Sequence, residues 1–260
     1  MKTIRFLWLM TGFLVAGLTP ASEAQVRNLI INGSFESPGF ADNVFELTPG
    51  STIVTGWVAG ERGADWISSR FPDPSWRPPD GDYFMDLSSI YDDPPKGPDG
   101  GSISQVITTT PGFTYRLSFQ MAGENANVPA PALLSVTVGS SSYSFSLPTT
   151  PAVTWVQQTL LFTAESDATL INFTDVKASP DGNSNVLLDA VSVVAVPEAN
   201  TIERLVPCAG PRSGGTWKSH GQYVSALVET AKTLLLEGLI SDDESRAAVV
   251  AAARSDCGRK

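Results

Sequence analysis

Apolar and polar residues alternate along most of residues 26–196. In residues 114–121, for example, Tyr115, Leu117 and Phe119 share one face, and the residues between them are polar. A period of two is typical of β-strands that bury one face. About ten such segments, separated by Gly, Pro, Asn and Asp, predict a mainly β domain built as a two-sheet antiparallel jelly-roll sandwich.

The pattern changes after this domain. Residues 197–215 are rich in proline and contain a Ser-Gly-Gly stretch, so they predict a linker. Residues 216–260 predict two helices joined by a short turn. Gly238 ends the first helix, and Ser241 with Glu244 forms a capping box at the start of the second. The first helix has one apolar stripe, made of Val224, Leu227, Val228, Ala231, Leu234 and Leu235.

The chain has two cysteines, Cys208 and Cys257, one on each side of the predicted helices. A disulfide between them is the default in an oxidising compartment and would close the open end of a helical hairpin. Closing a loop of this length stabilises the fold by about 4 kcal/mol in the chain-entropy model. Two buried free thiols are the alternative. The complete prediction is a β-sandwich followed by a small disulfide-closed α-helical hairpin.

Residues 1–24 have the pattern of a signal peptide. Lys2 and Arg5 precede an apolar run over residues 6–18, and Ser22-Glu23-Ala24 fits a cleavage site. The alternative is an uncleaved anchor helix, although a spanning helix needs about 20 apolar residues. We therefore expect a protein that is secreted, at the cell surface or in the periplasm, with no membrane span after the signal is removed.

The formal net charge is −10. Nucleic acids and anionic membranes bind basic patches, so an acidic chain argues against both as partners. Carboxylates that are not needed for ion pairs remain available for divalent cations.

Catalytic signatures are scarce in this sequence. His220 is the one histidine, which excludes a three-histidine zinc site, and no Gly-x-Ser-x-Gly elbow accompanies it. The sequence also lacks a phosphate-binding glycine loop and a dinucleotide fingerprint. We therefore expect a binding module rather than an enzyme. A surface protein that binds a protein partner, and a glycan hydrolase or lyase, are the alternatives.

Residues 28–36, Asn-Leu-Ile-Ile-Asn-Gly-Ser-Phe-Glu, resemble the opening of the galactose-binding-like jelly rolls. The likeness is greatest to the bacterial choice-of-anchor C proteins and their plant cell-wall relatives. Further matching segments follow in order: Gly63-Ala64-Asp65-Trp66-Ile67, Met85-Asp86-Leu87, Thr110-Pro111-Gly112-Phe113-Thr114-Tyr115 and Leu188-Asp189-Ala190-Val191-Ser192-Val193. The resemblance implies a jelly-roll fold like that of carbohydrate-binding modules, and a polysaccharide or glycan as partner. Separately, Trp217-Lys218-Ser219-His220-Gly221 resembles the start of a short helical module found at the ends of exported bacterial proteins.

The resemblance also implies a structural Ca²⁺ ion. In similar modules a Glu of the opening strand and an Asp of the closing strand meet at one edge of the sandwich, and here these are Glu36 and Asp189. Asp189 lies in an apolar run, where a carboxylate without a partner is costly. Backbone carbonyls near Asn32 and Ser34 would complete the shell of oxygens. Alternatively, Glu36 and Asp189 only accept hydrogen bonds from backbone amides.

Sugar rings stack on exposed aromatic side chains, while nearby polar groups bind their hydroxyls. Residues 71–81 form a loop rich in proline, called the proline-rich loop, and its Trp76 is the aromatic that we expect to be most exposed. Trp57 and Trp66 are expected in the core. The complete set of predicted ligand-binding residues is Trp76, Trp155, Tyr83, Arg116 and Gln120.

Overall fold

A computed structural model describes residues 26–88, 99–124, 131–150, 152–176 and 185–259. The predicted signal peptide, residues 1–24, lies outside the described residues.

Two antiparallel sheets form the body of the molecule, which confirms the predicted sandwich. The strands are β1 (Val44–Leu47), β2 (Val58–Ala59), β3 (Ala64–Ser68), β4 (Tyr83–Asp86), β5 (Asp99–Thr108), β6 (Thr114–Glu124), β7 (Ala132–Val138), β8 (Ser141–Leu147), β9 (Val156–Thr163), β10 (Ala168–Val176) and β11 (Asn185–Ala195). One sheet has six strands in the order β1-β3-β4-β11-β6-β9, and the other has five in the order β2-β5-β10-β7-β8.

The two ends of the sandwich meet in space. Asn28 forms an antiparallel bridge with Val194, and the Leu29 amide donates to the Val193 carbonyl at 2.8 Å. The ladder does not continue past this point, because the amide and carbonyl of Ile31 bond the Gln105 side chain instead of a strand. In residues 52–59 only Val58 and Ala59 form ladder pairs, and both pair with β5.

The core lies between the sheets, where the inward-facing side chains of both meet. Trp57 and Trp66 are buried there, as predicted. The indole N–H of Trp57 donates to the Asn32 carbonyl at 2.9 Å, and that of Trp66 to the Phe35 carbonyl at 3.0 Å. Both indoles therefore satisfy their polar atom on the turn that follows the opening bridge.

Helices α1 (Ile202–Leu205), α2 (His220–Leu236) and α3 (Asp242–Arg254) follow the sandwich. The predicted capping box of α3 is present, because the Ser241 hydroxyl accepts from Glu244 N and the Glu244 carboxylate accepts from Ser241 N. Gly238 follows the end of α2 with φ of +69°, a conformation that glycine adopts without strain. The predicted disulfide is also confirmed: Cys208 and Cys257 are bonded.

Residues 197–215, predicted to be a linker, contain a 3₁₀ turn at Pro197–Ala199 and helix α1. They also join the helices to the sandwich. The buried Asn200 side chain accepts from Thr114 N at 2.8 Å and donates to Thr114 O at 2.7 Å, as a neighbouring strand would. Leu234 of α2 belongs to the sandwich core. The hairpin is therefore packed against the sandwich. None of the helices in the described residues is long and apolar enough to cross a membrane.

Candidate functional site

Glu36 lies at the turn that follows the opening bridge and holds the start of β4. Its Oε1 accepts hydrogen bonds from the amides of Asp82 at 2.8 Å and Tyr83 at 2.9 Å. Gly81 permits this approach, because its φ is +70° and a Cβ at this position would overlap the Glu36 carboxylate.

Asp189 lies at a bulge in β11, where the register with β6 shifts and Ala190 has φ of +49°. The side chain is 0% exposed. Its Oδ1 accepts from the Ala190 amide at 2.6 Å and its Oδ2 from the Asp80 amide at 3.1 Å. Burial raises the pKa of Asp189 to about 8; these two hydrogen bonds lower it, and the carboxylates of Asp80 and Glu36 raise it further.

Asp80 is a third carboxylate at this edge, and it is not among the ligands predicted from the sequence. The Ser34 hydroxyl donates to Asp80 Oδ2 at 2.5 Å, which ties the proline-rich loop to the opening turn. Glu36, Asp80 and Asp189 together are called the acidic cluster below. Among the described lysine and arginine side chains, none forms an ion pair with the acidic cluster.

Of the predicted Ca²⁺ ligands, Glu36, Asp189 and Ser34 thus lie in or beside the acidic cluster. Asn32 has other partners. Its side chain donates to the carbonyls of Ser37 and Thr55 and accepts from the Ser37 amide, while its own carbonyl accepts from the Trp57 indole. These bonds shape the turn on which Glu36 is placed.

The donor set of the acidic cluster is entirely oxygen, which suits a hard cation such as Ca²⁺. Within the described ranges, no group of three or more His, Cys, Asp or Glu side chains has the geometry to hold a metal ion. Glu36 and Asp189 already accept bonds from backbone amides. A bound cation would therefore require these side chains to move from their present hydrogen bonds.

Trp76 was expected to be exposed, and this expectation is wrong, because only 8% of the residue is accessible. Its ring packs against Phe71 at 4.9 Å and Phe84 at 6.2 Å, measured between ring centroids. Ile67 and Leu187 belong to the same apolar cluster on the outer face of the six-stranded sheet. The proline-rich loop folds over this face, and Trp76 covers it.

Tyr83 is also buried, on the opposite side of the same sheet. Its hydroxyl donates to the Phe40 carbonyl at 2.8 Å, and its ring lies 5.3 Å from that of Trp66 in the core. Because only 9% of Tyr83 is exposed, it offers a ligand little surface.

The other three predicted ligand-binding residues lie at the surface of the six-stranded sheet; they are Trp155, Arg116 and Gln120. Trp155 is half-buried; its ring lies 5.6 Å from that of Phe84, and its indole N–H donates to the Arg77 carbonyl at 2.7 Å. Arg116 and Gln120 are half-buried on the outer side of β6. We call the outer surface of these two strands the β6–β9 face, and it comprises Arg116, Ser118, Gln120, Gln157, Thr159 and Leu161.

The single histidine is held by the helices. Nδ1 of His220 lies 2.9 Å from the Cys257 carbonyl oxygen, and Nε2 lies 3.2 Å from that of Ala253. The ring thus connects the start of α2 to the end of α3.

A family model described as "Protein of unknown function (DUF642)" matches residues 28–194, well over half of the chain. The limits of the match, Asn28 and Val194, are the two residues that close the sandwich by their bridge. The chain belongs to the DUF642 family. The helical hairpin lies outside the region that the DUF642 model matches. No curated protein matches the sequence.

Several solved structures resemble the DUF642 domain at low identity. A family 61 carbohydrate-binding module in complex with β-1,4-galactotriose is 17% identical, with a TM-score of 0.43 over 65% of this chain and 99% of that one. The CBM22-1 xylan-binding domain of Paenibacillus barcinonensis Xyn10C is 15% identical, with a TM-score of 0.38 over 68% and 98%. A family 35 module from Clostridium thermocellum is 14% identical, with a TM-score of 0.36 over 60% and 100%. Identities this low transfer neither a ligand nor a site to this chain.

Proposed function

We propose that this DUF642 chain is an exported, non-catalytic carbohydrate-binding module whose ligand lies on the β6–β9 face. One observation carries the proposal: a jelly-roll sheet presents an open surface with amide, hydroxyl and guanidinium groups near a half-buried indole. Gln120 lies opposite Gln157, and Ser118 lies opposite Thr159, in the register of the two strands. Amide, guanidinium and hydroxyl groups form hydrogen bonds with sugar hydroxyls, while the apolar face of a sugar ring stacks on an indole.

Arg116 defines one end of the proposed surface. Its guanidinium lies 3.4 Å from the Glu198 carboxylate, and 43% of the side chain remains accessible. An ion pair this exposed contributes little stability, so a ligand can replace it at small cost. Trp155 directly precedes β9 and extends the surface at the opposite end of β6, because the register places Met121 beside Val156.

We further propose that the acidic cluster binds Ca²⁺ and that the ion holds the proline-rich loop on the six-stranded sheet. Three carboxylates without a basic partner among the described residues support this, as does the raised pKa of Asp189. The ion would be structural, because Glu36 and Asp189 come from the two ends of the domain.

Export and the lack of catalysis belong to the same proposal. The Cys208–Cys257 disulfide supports an oxidising compartment. A structural rather than a catalytic role for the acidic cluster is supported by its hydrogen bonds. Two of its three carboxylates, Asp189 and Glu36, accept hydrogen bonds from backbone amides of segments distant in sequence.

The test is a pull-down of the purified chain on a panel of insoluble and soluble polysaccharides, neutral and acidic, in the presence of calcium. We expect retention on at least one polysaccharide and no release of reducing ends. Folded protein that is retained by none of the panel would overturn the proposal. Release of reducing ends would establish the alternative, a glycan hydrolase or lyase.

A further inference from the structure

Strand β8 forms one border of the five-stranded sheet. It spans Ser141–Leu147 and pairs along its whole length with β7, whereas none of the described strands borders it on its other side. In an antiparallel ladder, alternate residues direct their N–H and C=O groups to opposite sides. Every second residue of β8 therefore directs these groups away from the sheet, which makes the strand a template for another strand.

The edge lacks the features that normally prevent pairing. Edge strands are commonly kept apart by charged residues, proline or short length. β8 reads Ser-Ser-Tyr-Ser-Phe-Ser-Leu over seven residues, with no charge and no proline. β9, which borders the other sheet on the same side, is also uncharged. A small cavity lined by Tyr143 and Phe162 lies between these two borders. On the opposite side, β1 carries Glu46 and β2 has two residues.

The sequence of β8 is nearly symmetric about Ser144. Tyr143 and Phe145 flank it, and Ser142 and Ser146 follow on either side. If two copies of β8 run antiparallel about a two-fold axis at Ser144, each aromatic residue lies opposite an aromatic residue and each of these serines opposite a serine. Tyr143 and Phe145 are half-buried at the edge of the core, and Phe145 contacts Phe119 at 5.2 Å between centroids. A second strand would cover the remaining surface of both rings.

We propose that β8 pairs with β8 of a second copy of this chain, antiparallel about Ser144, so that one sheet runs through both molecules. The charge distribution favours this occupant at this place. Two chains of net charge −10 repel each other, and an uncharged border is where they can approach. Because the contact is two-fold and self-complementary, it closes at a dimer. High salt screens the repulsion and strengthens the dimer.

Analytical ultracentrifugation of the full chain, at rising protein concentration and at two salt concentrations, tests the proposal. The matched pair of variants is Ser144→Lys and Ser135→Lys. Ser135 lies directly beside Ser144 on β7 and faces the same side of the sheet, but one strand further in. Ser144→Lys places two ammonium groups opposite each other at the axis, and like charges directly opposite destabilise a strand pair.

We expect the wild-type chain and Ser135→Lys to dimerise with the same dissociation constant, and Ser144→Lys to weaken the dimer at least about tenfold. A wild-type chain that stays monomeric at about 1 mM would overturn the proposal. Equal loss in both variants, or assembly beyond a dimer, would also overturn it.

Cross-linking provides a second readout that does not depend on charge. Opposite residues of an antiparallel pair have Cα atoms about 4.5–5.5 Å apart, within reach of a disulfide. Cys208 and Cys257 are bonded to each other, and the chain has no free cysteine. Ser144→Cys should therefore oxidise to a disulfide-linked dimer, whereas Ser135→Cys should dimerise without forming a disulfide between the two copies. Equal cross-linking of both would contradict the proposed axis. Neither experiment involves a glycan, so its result is independent of carbohydrate binding.

Discussion

The amide of Asp80 donates a hydrogen bond of 3.1 Å to the carboxylate of Asp189, although 109 residues separate them in the chain. This bond joins the end of the proline-rich loop to the closing strand. Glu36, from the opening turn, accepts hydrogen bonds from the amides of Asp82 and Tyr83, where the chain passes from this loop into β4. The acidic cluster is thus the place where the beginning, the loop and the end of the DUF642 domain are connected.

The buried Asp189 predicts a distinctive pH dependence of stability. Its pKa is raised from 3.8 to about 8, so the folded protein retains a proton that the unfolded chain has lost. Stability from this group is complete below about pH 4 and is lost as the pH rises towards about 8. In the wild type this group should lower the free energy of unfolding by up to about 1.4 kcal/mol for each unit of rising pH over this range. Asp189→Asn should remove this contribution, because the amide does not titrate. Denaturant titrations in a chelator check this, with Asp167→Asn as an exposed control. Parallel curves for wild type and Asp189→Asn would contradict the assignment.

A calcium ion at the acidic cluster predicts that a chelator lowers the melting temperature and that added calcium restores it. Binding stabilises only the folded state, so the shift should grow with the calcium concentration. Glu36→Gln should weaken calcium binding at least about tenfold, because one carboxylate charge is removed. Asp42→Asn, an exposed change outside the cluster, should leave binding unchanged. Calorimetry that detects no calcium binding to the wild-type chain would exclude the ion.

Trp76 should behave as a core residue despite its place in a loop. Trp76→Ala removes a buried ring from the cluster that covers Phe84, and we expect a loss of about 3–5 kcal/mol in the free energy of unfolding. Val58→Ala, at an exposed strand position, should cost far less. Binding of a polysaccharide by the fraction that remains folded should persist. A stable Trp76→Ala variant that no longer binds would instead support the prediction from the sequence, in which Trp76 is exposed and a sugar ring stacks on it.

Gly81 and Gly50 provide a matched test of crowding at the acidic cluster. Both have positive φ, +70° and +75°, but a Cβ at Gly81 would overlap Glu36, whereas one at Gly50 would meet nothing within 4 Å. Gly50→Ala should therefore cost only the backbone strain, about 1–2 kcal/mol. Gly81→Ala should cost more and should also weaken calcium binding. Equal losses from the two variants in denaturant titrations would show that Glu36 is not held against the loop.

The parts of the fold that follow from local patterns were predictable. Period-two alternation gave most strands because each sheet buries one face, and it correctly placed Trp66 in the core. Ser241 and Glu244 define a capping box through their own spacing, and the two cysteines had no other partner.

Features that depend on distant segments were not predictable in this way. The hydrogen bond from the Asp80 amide to Asp189 depends on how the proline-rich loop folds. Likewise, the Asn200 side chain bonds the backbone of Thr114 where a neighbouring strand would otherwise pair. The burial of Trp76 did leave a sequence signal. Tyr83, Phe84 and Met85 are consecutive large apolar residues, and such a run is typical of a strand that is covered on both faces.

Isothermal titration of the retained polysaccharide, or an oligosaccharide from it, tests the carbohydrate-binding surface most directly. We predict that Arg116→Ala and Gln120→Ala each weaken binding by about fivefold or more, because each loses a hydrogen-bonding group on the β6–β9 face. Thr108→Ala, at an exposed position on the other sheet, should bind as the wild type does. Unchanged affinity in the first two variants would contradict a binding site on the β6–β9 face, and a loss in Thr108→Ala would place the ligand on the opposite side of the sandwich.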